Sequence, residues 1–103
     1  LNGQNFAFVG YLPQDTAARA QRIRELESLA LKTGQTQMFI ETPYRNAALW
    51  QALLQTLQHD TRLLRGCGLT LAQAHVACQT AAHWRRQPAW PDARQPTVFA
   101  IGR

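Results

Sequence analysis

The spacing of apolar residues changes several times along the chain, and each change marks an element. Residues 6–13, FAFVGYLP, alternate and carry aromatics until Pro13, which reads as a strand running into a turn. Residues 14–34, QDTAARAQRIRELESLALKTG, switch to a helical period. Asp15 or Thr16 caps this helix, Ile23, Leu26 and Ala30 form its apolar stripe with Leu29 flanking, and Gly34 stops it. Residues 36–42, TQMFIET, give a second strand whose apolar run, Met38 to Ile40, is short and reads as buried.

Thr42 followed by Pro43 reads as an N-cap with proline at the first helical position, where its missing N–H costs nothing. The helix then runs through YRNAALWQALLQTLQ, with Leu49, Leu53 and Leu57 on one stripe and Trp50 and Leu54 beside it. Residues 61–70, TRLLRGCGLT, predict a third strand opening into a Gly-Cys-Gly turn. QAHVACQT predicts a fourth strand, with a helix over 71–79 as the alternative. AAHWRR makes one or two helical turns, QPAWPDARQ is a proline-punctuated loop, and PTVFAIG is a last strand with Pro96 at its first residue. The sum is an α/β fold: a single layered domain with a mixed sheet of about five strands and two to three helices. The sheet is mixed because the later strands have short connections.

Composition narrows the class. A chain of 103 residues, 46% apolar and free of repeats, suits one globular domain. No apolar run reaches the length of a membrane span, and no signal-peptide pattern opens the chain. It begins with Leu, and LNGQNFAFVGYLP reads as the middle of a longer protein. Eleven Lys and Arg against six Asp and Glu give a net charge of +5, and Lys32 is the only lysine. Such a balance permits an RNA or nucleotide partner without demanding one, since the arginines are spread along the chain. The two cysteines, Cys67 and Cys78, fit reduced thiols in a cytoplasm.

Several constellations compete for chemistry. Glu41, Tyr44, Arg45 and Asn46 crowd a strand-to-helix edge, where free backbone N–H groups suit anionic or polar ligands. Arg45 would face the ligand with Glu41 holding it, or the two would form an ordinary surface pair. The glycines around Cys67 let backbone approach a ligand or make a tight turn, but no phosphate-loop motif is present. Cys67 has no adjoining His to activate it as a nucleophile. His59, His75, His83 and the cysteines lack zinc-ligand spacing, and Ser28 sits mid-helix, away from any triad. HWRRQPAW interleaves aromatics and arginines as RNA-binding surfaces do, or else packs Trp84 inside while Arg85 and Arg86 are solvated.

In order, FVGYLP, a basic helix, MFIETPYRN, LLRGCGLT and W…P…PTVFAIG resemble the C-terminal half of tetrapyrrole methylase family proteins. The branch most similar is the one related to the small-subunit ribosomal RNA 2′-O-ribose methyltransferase, and the likeness covers essentially the whole chain. The resemblance implies a two-domain, S-adenosylmethionine-dependent methyltransferase, commonly a homodimer and cytoplasmic, with the cofactor between its domains. This chain would be the C-terminal domain, 1–103, forming one wall of that cleft and inactive alone. The N-terminal domain, absent from this chain, would hold the acidic, glycine-containing cofactor loop and much of the substrate pocket. Carried over, Ile40, Glu41 and Thr42, then Cys67, Gly68 and Leu69, then Pro96, Thr97 and Val98 would face the cofactor. Tyr11, Leu12, Pro13 and Arg45 would lie nearer the substrate opening. No catalytic residue and no metal ligand is assigned.

Two departures bear on substrate. The RNA-modifying members often have a lysine-rich stretch after the Leu-Pro, where this chain has QDTAARAQR. They also tend to have Arg-Glu-Leu-Thr where it has Cys67-Gly68-Leu69-Thr70. Three functions follow: methyl transfer to RNA, foremost a ribose hydroxyl of ribosomal RNA; methyl transfer to a carbon of a tetrapyrrole; or a non-catalytic module that binds RNA or dimerises.

Overall fold

A computed structural model describes residues 5–67, 75–87 and 97–103, and for Cys67, His75 and Val76 it describes the backbone. The elements in chain order are β1 (Phe6–Tyr11), α1 (Thr16–Thr33), β2 (Thr36–Glu41), α2 (Asn46–Thr56), β3 (Arg62–Cys67), β4 (His75–Thr80), α3 (Ala81–Arg86) and β5 (Thr97–Gly102). The strands form one sheet in the order β1-β2-β5-β3-β4. β1 and β2 are parallel, joined over α1, and every other neighbouring pair is antiparallel. The mixed α/β sheet expected from the pattern is therefore present. Residues 75–79 belong to a strand, which settles that part of the chain against the helical alternative. The loop at QPAWPDARQ lies outside the described residues, apart from Gln87.

α1 begins and ends as its sequence requires. The Asp15 carboxylate accepts from the Ala18 N–H at 3.0 Å, and Gly34 takes the left-handed conformation that closes the helix (φ 76°). Ile23, Leu26 and Ala30 are buried, while Leu29 is exposed. α2 starts later than the sequence suggests. Thr42 and Pro43 do not cap it: the Thr42 carbonyl accepts from the Arg45 N–H, closing a turn with proline in its second position. The helix begins at Asn46, with Arg45 as its cap residue and no side-chain cap. Proline's fixed φ serves the second position of such a turn as well as a first helical position, so local sequence alone permits both.

The register puts Phe39, Phe99, Ile101 and Leu63 on one face, all fully buried against the helices. Phe39 and Phe99 stack at 5.8 Å between ring centroids, and Trp50 of α2 stacks on Phe99. Trp84 of α3 meets Trp50 edge-on at 4.9 Å and donates its indole N–H to the Leu63 carbonyl. Trp84 is thus a core residue. The Arg65 guanidinium lies 4.7 Å from the Trp50 ring and 4.5 Å from the Trp84 ring, spreading its charge over two aromatic faces inside the protein.

Other charged groups also hold the fold. Arg85 is not simply solvated: it donates to the Leu54 carbonyl at 2.7 Å and to the Leu57 carbonyl, and it meets His59 Nδ1. A cation there closes the C-terminal end of α2, where carbonyls lack helical partners. Arg103 does the same for α1 through the Leu31 and Lys32 carbonyls. Buried Arg19 donates to the Pro13 carbonyl. Glu27, 4% exposed on α1, accepts from the Gln58 N–H at 2.8 Å and the Thr61 hydroxyl at 2.6 Å, pinning the loop between α2 and β3. Among the described residues, no helix is long and apolar enough to cross a membrane.

Glu27→Ala removes both bonds and leaves the Thr61 hydroxyl buried without that acceptor. It should lower the unfolding free energy by about 2–4 kcal/mol, read from urea titration. An unchanged midpoint would mean that the loop is held by other contacts.

Candidate functional site

β5 enters the sheet between β2 and β3, antiparallel to both, so its first residue meets the last residues of its neighbours. Glu41, Thr97 and Cys67 stand side by side across β2, β5 and β3. One step inward, Tyr11, Ile40, Val98 and Gly66 form a row across β1, β2, β5 and β3. Ile40 and Glu41, Cys67, and Thr97 and Val98, one group from each of the three stretches expected to face a cofactor, therefore meet at one end of the sheet. That end carries the carboxyl termini of β1, β2 and β3, the side on which open α/β sheets commonly take ligands. Gly68, Leu69 and Pro96 lie outside the described residues.

Behind this edge is a small buried polar group. Asn46, the first residue of α2, is fully buried and donates from Nδ2 to the Thr97 hydroxyl at 3.1 Å. This bond ties the start of α2 to the start of β5 across 51 positions of sequence. Glu41 is 4% exposed, and its Oε1 accepts from the Thr42 N–H at 2.8 Å. Its Oε2 is buried and has no hydrogen-bond partner among the described residues. A buried carboxylate oxygen is costly to leave unmatched, so it suits a ligand N–H or O–H.

Glu41 does not hold Arg45, contrary to the expected pair. It turns inward, while exposed Arg45 reaches Gln14, whose amide oxygen accepts from the guanidinium once the amide is oriented to face it. Tyr11 and Tyr44 stand out at the same rim, 63% and 85% exposed. Pro13 is exposed beside them. Leu12, by contrast, is buried in the core cluster, so it supports the rim from below rather than lining it. In the sequence Asn46 is only one member of a crowded edge. Its bond to Thr97 is a long-range pairing that local sequence does not encode. Among the described residues, no group of three His, Cys, Asp or Glu could hold a metal ion. Cys78 is exposed as a free thiol.

No family model matches the chain, and no curated protein matches it. Among solved structures it is similar to the methyltransferase CobJ, with a TM-score of 0.58 at 14% sequence identity. The match takes in 97% of this chain and 41% of that chain, so this chain spans about two fifths of CobJ's length. At that identity the two share a fold.

Asn46→Ala should cost about 1–3 kcal/mol through loss of the buried bond to Thr97, measured by urea titration. Hydrogen exchange should rise locally at the start of α2 and of β5. Stability within experimental error of the parent would show that the pairing is incidental.

Proposed function

We propose that this domain forms one wall of the cofactor cleft of an S-adenosylmethionine-dependent methyltransferase, working as a homodimer in the cytoplasm. The observation that carries the reading is the meeting of Ile40, Glu41, Cys67, Thr97 and Val98 at one sheet edge, with Thr42 next in the chain after Glu41. The fold shared with CobJ, a protein named as a methyltransferase, supports it. Bound there, S-adenosylmethionine supplies an electrophilic methyl group on its sulfonium. The residues of this chain bind and orient: the strand ends offer backbone hydrogen bonds, and the buried Glu41 oxygen offers an acceptor for an amine or hydroxyl. No described side chain stands out as the group that takes the nucleophile's proton.

For the acceptor, the sequence likeness favours RNA, foremost a ribose 2′-hydroxyl of ribosomal RNA. A second reading, methylation of a tetrapyrrole carbon, gains from the structure. Arg19, Arg65, Arg85 and Arg103 are committed to carbonyls or aromatic faces of the protein itself, which shrinks the cationic surface left for phosphates. A rim with Tyr11, Tyr44 and Arg45 suits a planar ring bearing a few carboxylates.

The full-length protein given labelled S-adenosylmethionine with small ribosomal subunits, total RNA and a tetrapyrrole precursor in parallel separates the readings. Label mapped to a ribose supports the first, and label only in the tetrapyrrole supports the second. RNA binding that falls steeply with salt, with no S-adenosylmethionine binding, would leave a non-catalytic module. In the same protein, Glu41→Ala should weaken S-adenosylmethionine binding about tenfold, equivalent to about 1.4 kcal/mol, by calorimetric titration of a folded variant. Unaltered affinity would remove Glu41 from the cofactor site.

A further inference from the structure

Among the described residues, every carboxylate but one has its charge answered. Exposed Asp15 caps α1, Glu25 pairs with Arg22 at 3.3 Å, and exposed Asp60 faces water. Buried Glu27 accepts two hydrogen bonds on its Oε2. Glu41 differs. It is 4% exposed, its Oε2 is buried with no hydrogen-bond partner, and no described Lys, Arg or His forms an ion pair with it. Arg45, the cation nearest in the chain, turns outward to Gln14.

The surroundings favour that negative charge without cancelling it. Oε1 accepts from the Thr42 N–H at 2.8 Å, a charge-assisted bond. α2 begins beside it, because Asn46 bonds to Thr97 and Thr97 is the register partner of Glu41. The positive end of a helix dipole therefore lies close by. Neither supplies a full unit of opposite charge. Glu41 is two residues beyond Phe39 in β2, so it lies on the helix side of the sheet, behind the edge where β2, β5 and β3 meet.

We propose that Glu41 is a charge selector: it makes this edge prefer a positively charged ligand, and so prefer S-adenosylmethionine to its demethylated product. The inference rests on the proposed methyltransferase reading and adds how the site tells fresh cofactor from spent. S-adenosylmethionine and S-adenosylhomocysteine share adenine, ribose, ammonium and carboxylate groups. They differ by one methyl and by the positive charge on sulfur. In the transfer, a lone pair of the acceptor forms the bond to the methyl carbon. The S–CH₃ bonding pair stays on sulfur as a neutral thioether, and the acceptor's proton leaves to water.

A hydrogen bond to a group that both ligands share cannot separate them. The field of an unbalanced charge can, and it needs no contact with the sulfur. Unit charges a few ångströms apart, at an effective dielectric of about 20, shift affinity by at least about tenfold. The spent cofactor forgoes that attraction, so Glu41 favours its exchange for a fresh molecule.

The test is calorimetric titration of the full-length protein with three ligands: S-adenosylmethionine, S-adenosylhomocysteine and sinefungin. In sinefungin a carbon bearing an ammonium group replaces the methyl sulfonium, so it keeps the charge and cannot transfer a methyl. The variant is Glu41→Gln, which keeps the shape and the acceptor for the Thr42 N–H. It should weaken both charged ligands about tenfold and leave S-adenosylhomocysteine within twofold of the parent. Glu41→Asp, which keeps the charge, should retain the parent's order of preference even if all three bind less tightly. The same order of preference in Glu41→Gln as in the parent, or sinefungin behaving like S-adenosylhomocysteine, would overturn the proposal. A parent that holds S-adenosylhomocysteine as tightly as both charged ligands would overturn it with no variant needed. Each of those results leaves the methyltransferase reading standing. Binding of none of the three would contradict that reading, and the selector with it.

Discussion

The last strand of the chain is the middle strand of its sheet, and the architecture depends on that insertion. β5 hydrogen-bonds along its full length to β2 on one side and β3 on the other. Without it the parallel pair β1–β2 and the hairpin β3–β4 would be two separate ribbons, each too small to be stable in isolation. With it, Phe99 and Ile101 reach the centre of the core, where Phe99 stacks with Phe39 and Trp50. The same insertion sets Thr97 between Glu41 and Cys67. Stability and site geometry thus share one cause.

The arginines are the second organising feature. A chain of charge +5 invites a reading in terms of an external polyanion. Four of the arginines are committed to carbonyls or rings of the protein itself. Arg85 and Arg103 close helix ends, Arg19 holds the turn after β1, and Arg65 rests against the rings of two tryptophans. Guanidinium suits these places because its flat, forked donors serve carbonyls in the plane while its faces rest on aromatic rings. Lysine could do neither as well at these four positions. The rim by Tyr11, Tyr44 and Arg45 is polar and aromatic more than basic.

Elements set by local chemistry were legible. Asp15 and Gly34 bound α1, and the leucines of α2 mark its buried stripe. Elements set by distant partners were not. Thr42-Pro43 satisfies the requirements of a helix start and of a turn equally, and Asn46 is bound to a residue at the other end of the chain. Glu27 did leave a trace, since it falls on the stripe of Ile23, Leu26 and Ala30, where a carboxylate needs a buried partner. The order of strands left none, because pairing between β5 and its neighbours carries no signature in the spacing of residues. The three stretches proposed for the cofactor could be named from resemblance, while the meeting of their described residues at one edge required the sheet.

The most direct test of the cofactor wall is hydrogen–deuterium exchange of the full-length protein with and without S-adenosylmethionine. The account predicts protection concentrated at residues 40–42, 66–67 and 97–98, with the backbone of α1 unchanged. Tight binding with no protection at any of these three strand ends would place the cofactor elsewhere and contradict the account.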